Sequence, residues 1–252
     1  MRARTKPAVL AEAQSLFELM DGTDGPRPMV HGVDGHRARM RTRLLTAGPD
    51  ALADHEMLEM VLFLALPRRD TKPVARLLLD RFGSFEAAIS AGPAELMGVE
   101  GVGEAGAAAL KLVQGASLRL LRHAVREKPI LKDWGRLLDY LTAAMAHERV
   151  EQARVLFLDS KNRLLADEIQ GRGTVNQTMV YPREIVRRAL ELNATGIVLA
   201  HNHPSGDPAA SREDMAMTKA VQRAAAALGI ALHDHIIIAG TRWVSFQREG
   251  WL

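Results

Sequence analysis

The strongest constraint on the fold is a short apolar run that ends in two closely spaced histidines. Gly196–Ala200 is apolar and rich in β-branched residues, which predicts a buried strand. Side chains alternate between the two faces of a strand, so His201 and His203 should leave its end on the same side. Pro204 cannot continue the hydrogen-bonded ladder, so we expect the strand to stop there.

A carboxylate then returns to the two histidines from the next element. Ser205–Pro208 has turn composition, and a helix is predicted to begin at Ser211, with Asp214 in its first turn. Ser211 and Asp214 also fit a capping box, in which the two side chains hydrogen-bond to free backbone N–H groups at the start of the helix. Two imidazoles and one carboxylate form a zinc set that leaves a position for water, which is typical of catalytic sites. The sequence therefore predicts one zinc ion per chain, held by His201, His203 and Asp214.

The motif and its surroundings resemble a known family. His201-x-His203-Pro204, six residues and Ser211-x-x-Asp214 match the JAMM signature of JAB/MPN metalloproteases. Further matches identify the chain as similar to the bacterial RadC family over about residues 35 to 252. These matches are Arg172-Gly173-Thr174, Pro182-Arg183-Glu184-Ile185-Val186, Ala200–Gly206 and Asp234-His235. The resemblance implies a C-terminal α/β domain of the JAB/MPN (cytidine deaminase-like) type, with a mixed sheet flanked by helices.

The resemblance also implies a glutamate that takes a proton from the attacking water. Glu168 is our candidate, because it follows the apolar end of a predicted hairpin strand, as the base of the family does. Its rivals are Asp167, which should point to the opposite face, and Glu184, which lies in the next predicted helix. Ser211 is expected to cap its helix and also to donate a hydrogen bond to an oxyanion beside the metal.

A second His-x-His pair lies in a predicted strand from Ile230 to Ala239. Alternation predicts His233 and His235 on one face and Asp234 on the other. No suitably spaced carboxylate follows, so we interpret these residues as core or supporting groups. Either Asp234 or His235 could orient a metal-binding histidine, and the sequence does not decide between them.

The chain is predicted to have three parts. Residues 1–34 are rich in glycine and proline and are interpreted as a mobile N-terminal arm. Residues 35–128 have helical apolar spacing throughout and predict an all-helical domain. Residues 129–252 begin with a helix and continue as alternating strands and helices, which predicts a mostly antiparallel, curved sheet.

Within the helical part, residues 96–110 resemble a helix-hairpin-helix motif. Gly101 and Gly103 would let the backbone approach a phosphate, and the following helix would direct free N–H groups at it. Arg119 and Arg122 share a helical face and are candidate phosphate contacts. Glu104 lies beside the hairpin and no lysine neighbours it, which weakens the case for phosphate binding. We therefore keep DNA as a possible partner of the helical part and not as its expected one.

Composition limits the remaining possibilities. The chain has no cysteine, which excludes disulfides and thiolate ligands. No apolar run is long enough for a membrane span, and no secretory signal follows the first residues, so we expect a cytoplasmic protein without a membrane partner. The net charge of +3 gives little support for binding nucleic acid.

These observations favour a zinc-dependent hydrolase that acts on a protein or peptide, as a metallopeptidase or isopeptidase. The family's name also links it to DNA repair or DNA processing. One alternative is a metal-dependent DNA nuclease that uses the same residues on a phosphodiester. The other is a non-catalytic DNA-binding or adaptor protein with a structural metal.

Overall fold

The computed structural model describes residues 33–173 and 180–252, which divide into two compact units. In the first unit, helix α1 (Val33–Ala47) leads into a single 3₁₀ turn at Pro49–Ala51. Most of the predicted N-terminal arm, residues 1–32, lies outside the described residues, as do residues 174–179. The second unit, residues 52–252, contains both the helical region and the sheet.

Five helices form the first part of the second unit, and they confirm the predicted helical character of this region. They are α2 (Asp54–Ala65), α3 (Lys72–Phe82), α4 (Phe85–Ser90), α5 (Pro93–Met97) and α6 (Glu104–Glu127). Their apolar faces meet in one core that includes Leu58, Leu78, Leu96 and Leu110. Ser84 caps α4, because its side chain accepts a hydrogen bond from the Ala87 N–H.

The sheet has five strands, and three of its four strand pairs are antiparallel, as predicted. The strands are β1 (Gln152–Leu158), β2 (Leu164–Arg172), β3 (Gly196–Asn202), β4 (Ala231–Ala239) and β5 (Arg242–Ser245). Their order is β2-β1-β3-β4-β5, and only β3 and β4 run parallel. Strand β5 was not predicted, because its four residues are too few for a clear alternation.

Helices cover both faces of this sheet. On one face α7 (Trp134–Met145) buries Leu137 and Leu141 against alternate residues of β1, β3 and β4, such as Val198. On the other face α8 (Pro182–Glu191) and α9 (Arg212–Ala226) pack against the intervening residues, such as Leu199. In the parts of the chain that the structure describes, no helix is both long and apolar enough to cross a membrane.

A bulge in β4 makes the predicted alternation of His233, Asp234 and His235 wrong. The register pairs Ile197 with Leu232 and then Val198 with Asp234, so His233 has no partner in the ladder. The ring of His233 instead occupies the space that a Cβ atom at position 196 would need, which is why a glycine stands there. Simple alternation across residues 233–235 is therefore broken.

A buried polar network connects α6 and α7 to the first two strands. Arg154 of β1 donates to both oxygens of Asp167 at 2.8 and 2.7 Å, and the Tyr140 hydroxyl also donates to Asp167. Arg122 completes the network through a 3.1 Å hydrogen bond to Tyr140. Burial, followed by the charge of Asp167, raises the pKa of Tyr140. Asp167 faces α7, on the opposite side of β2 from Glu168, as predicted.

This network yields a prediction for stability. Asp167→Ala should lower the free energy of unfolding by about 3–5 kcal/mol, because it leaves Arg154 buried without its counter-charge. The matched control is Asp80→Ala. Asp80 lies at an exposed position of α3, so this change should alter stability by less than about 0.5 kcal/mol. Urea unfolding followed by circular dichroism measures both. A loss below about 1 kcal/mol for Asp167→Ala would show that the network does not depend on this charge pair.

Candidate metal centre

The end of β3 presents two histidines to one side of the strand, as its alternation predicts. The Nε2 atoms of His201 and His203 lie 2.9 Å apart. Asn202, between them, faces the other way and anchors the chain before β1. Its side-chain oxygen accepts from the Gln152 N–H at 2.9 Å, and its amide donates to the Glu148 carbonyl at 3.2 Å.

Asp214 reaches both histidines from the first turn of α9. Its Oδ1 lies 3.1 Å from His201 Nε2, and its Oδ2 lies 3.6 Å from His203 Nε2. Ligand atoms of these three residues all lie within 4.8 Å of one another. The sequence therefore correctly predicted that these three side chains converge.

Ser211 holds the carboxylate in place through the capping box that the sequence predicts. Its backbone N–H and its hydroxyl donate to Asp214 Oδ2 at 2.8 and 2.6 Å, and its hydroxyl accepts from the Asp214 N–H at 3.0 Å. The single hydroxyl proton of Ser211 is therefore directed at Asp214, and Oδ1 is left facing the histidines. Donation by Ser211 to an oxyanion stays a prediction, and it would require this hydroxyl to turn away from Asp214.

A chain of hydrogen bonds determines the tautomer of His201. The Thr218 hydroxyl donates to the Asp214 carbonyl at 2.6 Å, because a carbonyl can only accept. Thr218 has no second proton, so its oxygen must accept a hydrogen bond from His235 Nδ1, 2.6 Å away. The proton of the neutral His235 ring is therefore on Nδ1, and its Nε2 is an acceptor. His201 Nδ1 donates to that atom at 2.8 Å, so the lone pair of His201 Nε2 faces Asp214.

His203 is oriented in the same sense by a separate contact. Its Nδ1 lies 2.8 Å from the Asp207 carbonyl, which can only accept, so Nδ1 carries the proton. Two Nε2 lone pairs and a carboxylate oxygen thus face a common centre, where they repel one another unless a proton or a cation lies between them. These donors fit zinc, which takes neutral imidazole and carboxylate ligands.

The electrostatics of the site follow from this crowding of acceptors. Asp214 raises the pKa of His203 above its ordinary value against the effect of burial, because the carboxylate would accept a hydrogen bond from the protonated ring. Burial raises the pKa of Asp214, but the hydrogen bonds that protonated His201 and His203 would donate, together with the one from Ser211, outweigh it and leave that pKa far below the ordinary value. Complete burial lowers the pKa of His235, which keeps it neutral in its supporting role.

The sequence left open whether Asp234 or His235 supports a ligand, and the structure identifies His235. Asp234 contacts β5 and the residues after it and not the candidate ligands. Its oxygens accept hydrogen bonds from the Ser245 hydroxyl at 2.5 Å and from the Gln247 N–H at 2.9 Å. His235 is buried and contacts His201 directly.

Glu168, the predicted base, does not join this cluster. Its carboxylate forms a salt bridge with Arg188 of α8, with Nη2–Oε1 at 2.6 Å and Nε–Oε1 at 3.0 Å. Both groups line a polar cavity of about 470 Å³ that contains none of the three candidate ligands. The rival Glu184 lines the same cavity. The catalytic role of Glu168 remains a prediction.

A different carboxylate, Glu151, lies next to the site and was missed by the sequence reasoning. Ala153 pairs with His201 across the β1–β3 ladder, and Glu151 lies two residues before Ala153, at the same end of the sheet. Its charge contributes to the raised pKa of His203. The signal in the sequence was its position before the first strand, but this could be interpreted only once β1 was known to neighbour β3.

The predicted phosphate-binding residues lie in the helical region, and the structure distinguishes among them. Gly101 has a φ of +89°, and Gly103 precedes α6. Arg69 supplies a positive charge that the hairpin sequence lacks, with its Nη1 3.4 Å from the Gly101 carbonyl. Arg119 is exposed on α6, whereas Arg122 is held in the Tyr140 network.

Comparisons with known proteins agree with this fold. A family model described as "RadC-like JAB domain" matches residues 131–251. A UPF0758 protein from Rhodobacter capsulatus is 55% identical over 213 residues, which cover 84% of this chain and 100% of the relative. A UPF0758 protein from Ruegeria pomeroyi is 50% identical over 217 residues, covering 86% of this chain and 97% of the relative. These names state a family and no activity. The chain belongs to the RadC (UPF0758) family, whose JAB domain has a fold of the metal-dependent hydrolase type.

Proposed function

We propose that this protein is a zinc-dependent hydrolase of amide or isopeptide bonds. The observation that carries the proposal is the convergence of His201 Nε2, His203 Nε2 and an Asp214 oxygen. The hydrogen bonds at the two Nδ1 atoms leave both Nε2 lone pairs facing the common centre. A bound zinc ion would act as a Lewis acid and make water nucleophilic near neutral pH.

An open position in the ligand set favours catalysis over a structural metal. Structural zinc sites almost always have four protein ligands, whereas catalytic sites have three. Among the residues that the structure describes, the ligand cluster contains three members. This argues against the adaptor alternative with a structural metal.

We assign the general base to Glu151 in preference to Glu168. A base must lie within reach of the water that it deprotonates, directly or through one further water. Glu151 immediately precedes β1 at the end of the sheet that carries the histidines, its charge acts on His203, and it is half-buried. Glu168 would first have to leave Arg188, whose guanidinium holds both of its oxygens.

A metal-dependent nuclease is the second candidate, and one observation favours it. Arg69 places a guanidinium beside the Gly101 turn, where a phosphate of DNA would approach the hairpin. Against it, the half-exposed guanidinium of Arg122 is engaged by Tyr140 and Asp167, which reduces the charge available on α6. Peptide and phosphodiester substrates therefore need to be tested side by side.

The first prediction from this proposal concerns the metal. The purified protein should bind close to one zinc ion per chain. His203→Ala or Asp214→Ala should each weaken zinc binding by more than ~100-fold, because loss of a residue that only supports a ligand typically costs ~10- to 100-fold. The exposed His123→Ala is the control and should bind zinc normally. Elemental analysis after zinc loading and desalting measures occupancy. Zinc retained in full by both ligand variants would refute the site.

The second prediction separates the two candidate bases. Glu151→Gln should lower turnover by about 10²- to 10⁴-fold while zinc content and fold stay unchanged, because a base acts on water and not on the metal. Glu168→Gln removes only an ion pair at the surface and should keep most of the activity.

Both variants would be incubated with a mixed peptide library, with a lysine isopeptide and with bis(p-nitrophenyl) phosphate. New amino termini are counted by mass spectrometry, and phosphodiester cleavage is followed by absorbance. The opposite pattern, with Glu168→Gln inactive and Glu151→Gln active, would return the base to Glu168. Cleavage of the phosphodiester alone would favour the nuclease.

A further inference from the structure

A large groove lies beside the candidate metal centre, within the second unit. It has a volume of about 980 Å³ and is lined by α4, α6, α7 and the turn between β4 and β5. Phe85, Leu118, Leu138 and Trp243 give it an apolar lining. We refer to it as the α4–α7 groove. Its volume is at the upper end of the range of about 300–1,000 Å³ that is usual for ligand sites.

This groove adjoins a smaller cavity that reaches one of the candidate ligands. The smaller cavity, of about 310 Å³, is lined by the ligand His203 and by Pro204 and Gly206, which follow it. Both the cavity and the groove are lined by Ala146, His147 and Gly240. A chain bound beside His203 would therefore reach the α4–α7 groove by passing His147.

The charges of the groove favour a polypeptide over a nucleic acid. Its described lining residues include two exposed carboxylates, Glu86 and Asp139, and neither lysine nor arginine. The smaller cavity has one arginine, Arg149, whose guanidinium pairs with Glu95 at 2.6 Å. Binding of a phosphate backbone depends on lysine and arginine, so this surface would repel DNA.

We propose that the α4–α7 groove binds the part of a substrate polypeptide that adjoins the bond to be cleaved. The substrate is an extended segment with apolar side chains, which fill the groove, and with lysine or arginine, which pair with Glu86 and Asp139. This inference rests on the proposed hydrolase function, because that function places the scissile amide at the His203 end.

Binding can be measured separately from catalysis. The probes are a fluorescein-labelled short peptide of leucine, glycine and lysine, and its counterpart with glutamate in place of lysine. Fluorescence anisotropy with the full-length, zinc-loaded Glu151→Gln chain gives each affinity without cleavage. We expect the basic peptide to bind at least about tenfold more tightly than the acidic one. Equal affinity, or tighter binding of the acidic peptide, would overturn the proposal.

Charge reversal in the groove provides the matched comparison. The double variant Glu86→Lys with Asp139→Lys should weaken binding of the basic peptide by at least about tenfold, because it replaces attraction with repulsion. The double variant Asp80→Lys with Glu127→Lys makes the same change of net charge at exposed positions that do not line the groove. It should bind within about twofold of the parent. Equal losses in the two double variants would mean that only net charge matters, and the proposal would fail.

A blocking experiment avoids the question of folding. The chain has no cysteine, so Ser117→Cys, at an exposed position in the groove, can be alkylated selectively with a bulky maleimide. The same protein is measured before and after alkylation, and peptide binding should be lost. Ser160→Cys, in the exposed turn between β1 and β2, is the control and should bind equally in both forms. Unchanged binding after alkylation at position 117 would overturn the proposal.

The two proposals fail in different ways. If the parent chain cleaves no amide but shows the expected peptide preference, the groove is a peptide-binding site and the hydrolase function is wrong. If the parent chain cleaves peptides and the groove variants cleave them at parental rates, the hydrolase stands and the groove proposal is wrong. Displacement of the basic peptide by duplex DNA would also contradict the groove proposal.

Discussion

The hydrogen bond between His201 and His235 is the contact on which the candidate metal centre depends. It joins neighbouring strands β3 and β4, and it is continued through Thr218 to the backbone of Asp214. Because the chain ends at the Asp214 carbonyl, which can only accept, the direction of each preceding hydrogen bond follows in turn. One ligand thereby orients another through two buried residues, and a change at His235 would disturb the whole set.

The sheet brings these groups together by its mixed topology. The parallel pairing of β3 with β4 places His235 beside the end of β3, and the antiparallel pairing with β1 brings Glu151 to the same end. The carboxylate of Asp214 comes from α9, which packs on the sheet through Val221 and Ala225. The helical region then contributes one wall of the groove that leads away from the ligands.

Much of this arrangement could be predicted from the sequence, because local chemistry determines it. Alternation in β3 and the capping box at Ser211 are local features, and together they give the three ligands. The position of Glu151 could not be predicted, because it depends on which strand pairs with β3. Simple alternation failed in β4, where a bulge at His233 shifts the register. Arg122 also looked free on the helix surface, and only the packing of α6 on α7 shows its contact with Tyr140.

The ring nitrogens of His201, His203 and His235 offer the most direct test of the central claim. Zinc would be titrated into the full-length protein carrying isotope-labelled histidine, and the ring nitrogens would be followed by NMR. The account predicts that zinc shifts Nε2 of His201 and of His203, that both Nδ1 atoms keep their protons, and that His235 remains neutral with its proton on Nδ1. Loss of either Nδ1 proton, or Nε2 signals that zinc does not change, would contradict it.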